Sequence, residues 1–90
     1  MNKALYARAQ TAISELKGVV YELLAESENQ NGLSNAEVGR ALGIYRGHVG
    51  HEGHISRTIL QMLEVDEVAK QDPTTKLWSL TKLHDTRPEA

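Results

Sequence analysis

The sequence predicts a small α+β domain in which three helices are followed by one antiparallel β-hairpin. Apolar residues recur at helical spacing over residues 4–26 and again over 54–65. Between these segments, Ser34 with Glu37 three residues later forms a capping box, the sequence signature of a helix start. Two short segments with strand-like alternation then flank a turn of sequence DPTT at 72–75. These three observations define the predicted fold class.

The composition limits the size and class of the protein. The chain has 90 residues, which is the length of one domain with one modest core. It contains no cysteine, so neither a disulfide framework nor a thiolate metal site is expected. It also lacks an apolar run of about 18 residues and a signal-peptide pattern at its start. We therefore expect a soluble, cytoplasmic protein that makes no contact with membranes.

The charge is distributed unevenly along the chain. A formal net charge of −2 is not typical of a nucleic-acid binder. Residues 1–42 carry four basic and five acidic side chains, and residues 64–90 carry four and six. Residues 43–63 carry two arginines, one glutamate and three of the four histidines, so only this part is net positive. A single Trp and no Phe argue against a stacking platform for single strands.

The first two helices are predicted over residues 4–26 and 34–42. Gly18 weakens the first by about 1 kcal/mol relative to alanine. Gly43 is suited to end the second helix. The apolar positions of the first helix are Leu5, Ala9, Ala12, Ile13, Leu16, Val19, Val20, Leu23 and Leu24.

Within the segment 43–53, glycine recurs at every third position at Gly47, Gly50 and Gly53, and each of these three precedes a histidine. This density of glycine costs too much backbone entropy for a stable helix, so a loop is predicted. The third helix follows over 54–65. Its apolar face is predicted to comprise Ile55, Ile59, Leu60, Met62 and Leu63, with Ser56, Arg57 and Gln61 off that face.

The hairpin is predicted over 67–81, with strands near 67–71 and 76–81 and Pro73 at the second position of the turn. Trp78 is expected in the core, and the polar segment 83–90 is expected to be a loose tail. The predicted core comprises Leu16, Val20, Leu23, Leu24, Val38, Leu42, Ile55, Ile59, Leu63, Val68 and Leu80.

Three quoted segments carry a resemblance to a known fold family. They are LSNAEVGRALGI at 33–44, ISRTILQMLEVDEVAKQD at 55–72 and TKLWSLT at 75–81. In this order they resemble the winged helix-turn-helix domain of bacterial transcription regulators, over about residues 33–82, within a single domain spanning 1–82. The chain departs from that pattern between Gly43 and Ser56, where about six residues are inserted.

The resemblance implies binding to duplex DNA, sequence-specific regulation of transcription, and no enzymatic activity or cofactor. The helix at 54–65 would enter the major groove, where Arg57 can pair with guanine and Gln61 with adenine. Arg46 and the histidines would donate to phosphates, which glycine N–H groups can approach closely. The expected DNA-binding residues are Arg46, His48, His51, His54, Ser56, Arg57, Gln61, Lys70, Thr74, Thr75 and Lys76.

Imidazole gains charge below about pH 6.5, so the histidines predict tighter DNA binding at pH 6 than at pH 8. A metal site built from three histidines is the alternative use of this segment, although their spacing matches no familiar zinc pattern. An acid–base site with Glu52 is a further alternative, but 90 residues leave little room for a catalytic pocket.

Other interpretations of the whole chain also stay open. Winged helices bind proteins as well, and the net charge of −2 favours a protein partner. The chain is also compatible with a targeting domain of a larger nucleic-acid enzyme. A homodimer is expected through Leu5, Ala9 and Ala12 of the first helix, since DNA operators are often palindromic.

Overall fold

The computed structural model of the chain contains three α-helices and a two-stranded antiparallel sheet, which confirms the α+β prediction. The structure describes residues 2–27, 31–47, 50 and 52–81. The architecture is consistent with a winged helix. In chain order, the elements are α1 (Lys3–Glu26), α2 (Asn35–Ala41), α3 (His54–Val65), β1 (Ala69–Gln71) and β2 (Trp78–Leu80).

Helix α1 packs against the rest of the domain from Ile13 onward. Asn2 caps its start, because the side-chain oxygen accepts from the backbone N–H groups of Ala4 and Leu5 at 3.0 and 3.1 Å. All side chains from residue 2 to residue 12 are exposed, whereas Val20 and Leu24 are buried. About ten residues of this helix therefore project beyond the core.

Helix α2 has defined caps at both ends. The predicted capping box is present, with Glu37 N–H donating to Ser34 Oγ at 3.1 Å and Ser34 N–H donating to the Glu37 carboxylate at 2.8 Å. At the other end, Gly43 adopts φ +72° and Ile44 N–H donates to Gly39 O at 2.8 Å. This is a Schellman motif, so Gly43 ends the helix as predicted.

The hairpin pairs Ala69 with Leu80 and Gln71 with Trp78. Its strands are shorter than predicted, and the loop between them is closed by Asp72 N–H donating to Leu77 O at 2.9 Å. At the tip, the Asp72 carboxylate accepts from the backbone N–H groups of residues 74 and 75 at 2.7 and 2.9 Å. This turn is of the Asx type, in which aspartate stabilises its own chain reversal.

Residue Leu33 adds a third pairing to the hairpin that the sequence did not predict. Leu33 N–H donates to Trp78 O at 2.9 Å, and Trp78 N–H donates to Leu33 O at 2.7 Å. Gly32 adopts φ +103°, and a Cβ at this position would lie 2.4 Å from Trp78 O. The preceding glycine therefore permits this close approach, and Trp78 is buried as predicted.

The core lies between the second half of α1, helix α3 and the hairpin. Its buried members are Val20, Leu24, Leu33, Val38, Ile59, Leu60, Leu63, Ala69, Trp78 and Leu80. The predicted core residues Leu16, Leu23, Leu42 and Val68 are partly buried and pack against this cluster.

Two predictions for α3 were wrong. Ile55 was expected in the core, but 41% of it is exposed. Ser56 was expected on the exposed, DNA-facing side, but it is fully buried. The buried stripe runs through Ser56, Ile59, Leu60 and Leu63, which is the i, i+3, i+4, i+7 spacing of one helix face. Ile55 lies at the edge of this stripe, which accounts for its partial exposure.

Candidate nucleic-acid interface

Helices α2 and α3 approach each other closely at Gly39. A Cβ on this glycine would lie 2.9 Å from Ser56 Oγ and 2.9 Å from the Tyr45 side chain. The Ser56 hydroxyl donates to Gly53 O at 3.2 Å, so it is both small enough for the contact and hydrogen-bonded. Ser56 therefore holds the two helices together, and its burial removes it from direct contact with any DNA surface.

A backbone hydrogen bond joins the two ends of the glycine-histidine segment. Gly53 N–H donates to Arg46 O at 2.9 Å, and α3 begins at the next residue. Between them lie the six residues 47–52, among which Gly50 has φ +83° and donates its N–H to the Glu52 carboxylate at 3.2 Å. The insertion therefore does not extend α3. The predicted contacts His48 and His51 lie outside the described residues.

Gly53 fixes the loop base to α2. Its φ is +87°, and a Cβ here would lie 2.6 Å from Asn35 Nδ2 and 2.8 Å from Tyr45 Cε1. The Asn35 amide donates to Gly53 O at 3.2 Å, and Arg57 N–H donates to the same oxygen at 2.9 Å. These contacts fix the position of the first turn of α3 relative to α2.

The outer face of α3 carries the exposed polar side chains His54, Arg57, Thr58 and Gln61, and the exposed Glu64 follows one turn after Gln61. Their spacing places them along one side of the helix, opposite the buried stripe. Arg46 is also exposed, and its carbonyl bond to Gly53 places its backbone beside the start of this helix. Arg46, Arg57 and Gln61 are therefore brought to one region of the molecule.

Arg40 of α2 adds a third arginine near the turn. Its guanidinium lies 4.8 Å from the centroid of the Tyr45 ring, a cation–π geometry. Residues 40–61 contain three arginines and one glutamate, so this part of the chain has a positive balance within a protein of net charge −2. Such a local excess of positive charge attracts polyanions more than the net charge indicates.

The predicted hairpin contacts Lys70, Thr74, Thr75 and Lys76 are all exposed. Asp72 lies among them. The backbone N–H of Thr75, followed by that of Thr74, holds the pKa of the Asp72 carboxyl below its ordinary value, and the Lys76 charge acts in the same direction. The hairpin tip therefore carries an ionised carboxylate beside its lysine, which reduces its attraction for phosphate.

Two residues of this region, Thr58 and Arg40, were not predicted from the sequence. Thr58 lies four residues after His54 and three before Gln61, so helical spacing alone was a sufficient signal for it. Arg40 gave no such signal, because its proximity to the turn depends on the Tyr45 ring.

In the part of the chain that the structure describes, no group of three or more His, Asp or Glu side chains is arranged to hold a metal ion. Within the same ranges, no helix combines the length and apolarity that crossing a membrane requires. Comparison of the chain with protein-family models, curated proteins and solved structures finds no match.

Proposed function

We propose that this protein binds duplex DNA by placing the outer face of α3 in the major groove. The observation that carries the proposal is the division of α3 into two faces. One face is fully buried through Ser56 and the leucines, and the other exposes His54, Arg57, Thr58 and Gln61. A helix of this kind fits the width of the groove and presents polar side chains to base edges.

Arg57 and Gln61 are the proposed readers of sequence. They lie four residues apart, one helical turn, on the same side of α3. Arginine forms paired hydrogen bonds with guanine, and glutamine does so with adenine. Such pairs discriminate against the wrong base by about 1–3 kcal/mol each, so two of them support a preference for particular sites.

Arg46, the loop at 47–52 and the hairpin residues Lys70, Thr74, Thr75 and Lys76 are the proposed phosphate contacts. Phosphate contacts fix the register of a protein on the duplex without reading its sequence. Arg46 is suited to this role because its backbone is held beside α3 by Gly53. The proposed biological role is transcription regulation by a homodimer, since duplex sites are often two-fold symmetric.

The test is fluorescence anisotropy with a labelled random-sequence duplex, titrated at 50 and 200 mM salt. We expect non-specific dissociation constants of about 10⁻⁴–10⁻⁶ M that increase with salt. On a preferred site obtained by selection, Arg57→Ala is expected to weaken binding by about 1–3 kcal/mol. Arg46→Ala is expected to weaken binding to every duplex and to reduce the slope of log affinity against log salt by about one. Selection from a random library would then give the preferred site.

Lys3→Ala is the matched control, because it removes one positive charge from an exposed position on the projecting part of α1. It should leave the affinity unchanged within about twofold. If Lys3→Ala and Arg57→Ala lose the same amount of DNA affinity, the loss is due to net charge alone. That result would contradict a specific role for α3. Absence of binding both to random duplex and to any selected sequence would exclude the proposal.

Protein binding is a second candidate, favoured by two apolar side chains on α3. Ile55 is 41% exposed and Val65 is 81% exposed. Exposed apolar positions of this kind occur at protein interfaces. If they serve a partner, Ile55→Ser and Val65→Ser will leave DNA affinity unchanged and abolish capture of that partner.

A further inference from the structure

The projecting half of α1 is unusual because nothing in the described part of the domain covers it. Residues 3–12 form regular helix, yet every side chain among them is exposed. Leu5 and Tyr6 are 55% and 64% exposed. Most helical stability in proteins comes from packing of an apolar face, so the open half of this 24-residue helix would gain stability from a partner.

The apolar residues of α1 follow a heptad pattern. They alternate in steps of four and three through Leu5, Ala9, Ala12, Leu16, Val19 and Leu23. This 3.5-residue period defines the seam of a coiled coil, in which two helices pack side by side. Alanine at the two central positions allows the helix backbones to approach closely.

The residues beside the seam determine which orientation is favoured. Tyr6 and Ile13 flank it on one side, and Arg8 and Glu15 flank it on the other. Arg8 and Glu15 are exposed, and neither has an ion-pair partner among the residues that the structure describes. On this side of the seam, Arg8 and Glu15 therefore have opposite sign and lie seven residues apart, and Glu22 follows beside Leu23.

We infer that two copies of this chain associate through an antiparallel pairing of their α1 helices. The two-fold axis passes between Gln10 and Thr11. This register places Leu5 against the second copy's Leu16 and Ala9 against the second copy's Ala12. It also places Arg8 beside the second copy's Glu15, twice by symmetry, while Tyr6 packs near the second copy's Ile13. In this one register, apolar side chains face apolar side chains and each arginine faces a glutamate.

A parallel, in-register pairing does not satisfy the charges. It would place Arg8 near the second copy's Ile13, because flanking positions of the two opposite sides meet across a parallel seam. Each arginine would then face an apolar side chain, and each glutamate would meet Val20 of the second copy in the same way. The antiparallel register is thus the one that uses both charges. The inference does not depend on DNA binding.

Sedimentation equilibrium over a range of concentrations tests the inference. Wild type is expected to show a monomer–dimer equilibrium. Arg8→Glu and Glu15→Arg each replace two attractive pairs by two repulsive ones, so each should weaken dimerisation by about tenfold. The double variant R8E/E15R restores the pairs and should regain wild-type association. An equimolar mixture of the two single variants should form heterodimers in preference to either homodimer.

Thr11→Glu is the control, because residue 11 lies on the side of α1 opposite the seam and should leave the equilibrium unchanged within about twofold. All of these positions are exposed, so circular dichroism should report a folded protein in each case. A wild type that stays monomeric at millimolar concentration would overturn the inference and assign this face to a different partner.

Cross-linking tests the orientation independently. The natural chain contains no cysteine, so single cysteines report on one contact each. A mixture of Ala9→Cys and Ala12→Cys should form a disulfide-linked heterodimer under mild oxidation. Preferential self-cross-linking of Ala9→Cys, together with insensitivity to the charge reversals, would indicate a parallel pair and refute the antiparallel register.

Discussion

At the scale of single residues, glycines decide where the elements meet. Gly39 allows α2 to contact Ser56, and Gly53 allows the loop base to lie against Asn35 and Tyr45. Gly50 also has positive φ, but a Cβ there would meet nothing within 4 Å. Gly39 and Gly53 are therefore required for close packing, whereas Gly50 is required only for its backbone conformation.

This difference gives a matched pair of variants. Gly50→Ala should cost about 1–2 kcal/mol, the cost of a left-handed conformation for an L-residue. Gly53→Ala should cost about 1–3 kcal/mol more, because its Cβ also collides with Asn35 and Tyr45. Urea unfolding of both variants measures the difference in the free energy of unfolding. Equal losses would show that the loop base relaxes freely, contrary to the contacts described here.

Asp72 gives a prediction about pH. Its pKa is lower in the folded protein than in the unfolded chain, so its contribution to stability is present above the unfolded value, about pH 4. That contribution is lost as the pH falls through the lowered folded value. The difference in melting temperature between wild type and Asp72→Asn should therefore be constant near neutral pH and shrink below about pH 4. A difference that does not change with pH would mean that the ionised form does not stabilise the turn.

At the scale of elements, the helices were predicted mainly from helical periodicity and from helix caps. Helix α3 begins and ends at the predicted residues, because the glycines before it and the apolar spacing within it mark both limits. The face of Ser56 was assigned wrongly, since polarity was given more weight than its position three and four residues before Ile59 and Leu60. The bridge at Leu33 had no signal, because one residue cannot show a period.

The candidate site was predictable in part for the same reason. Helical spacing indicated that Arg57 and Gln61 share a side, and both are exposed. The proximity of Arg46 to the start of α3 could not be predicted from the sequence, because it depends on the hydrogen bond from Gly53 N–H to Arg46 O. Local pattern determines which way a helical residue faces, whereas contacts between elements need the folded chain.

The loop at 47–52 can be shortened to a two-residue turn without disturbing its base. Gly53 N–H already donates to Arg46 O, and a variant in which Asn-Gly replaces residues 47–52 can keep this bond as the closing bond of a β-turn. Its free energy of unfolding should change by less than about 1 kcal/mol. If the loop contacts phosphates, the same variant should bind duplex DNA more weakly. Its affinity should also differ less between pH 6 and pH 8, because it lacks His48 and His51 but keeps His54. Chemical unfolding and anisotropy measure the two effects separately. Unchanged DNA affinity in the folded variant would remove the loop from the interface.

At the scale of the whole molecule, the two proposed surfaces use different helices. Helix α3 carries the candidate DNA face, while the first half of α1 carries the candidate dimer face. Mutations in one should therefore leave the other intact. Arg57→Ala is expected to dimerise like wild type, and R8E/E15R to bind a half-site like wild type.

The closed base of the 47–52 loop also determines where this chain can accept inserted residues during evolution. Because a backbone hydrogen bond from Gly53 N–H to Arg46 O closes the base of the loop, insertions between these two residues need not alter the core. The entropic cost of a longer loop rises slowly, by about 0.6 kcal/mol for each doubling of its length. This position can therefore accept foreign peptides, such as an epitope or a metal-binding tag, at the point where the chain enters α3.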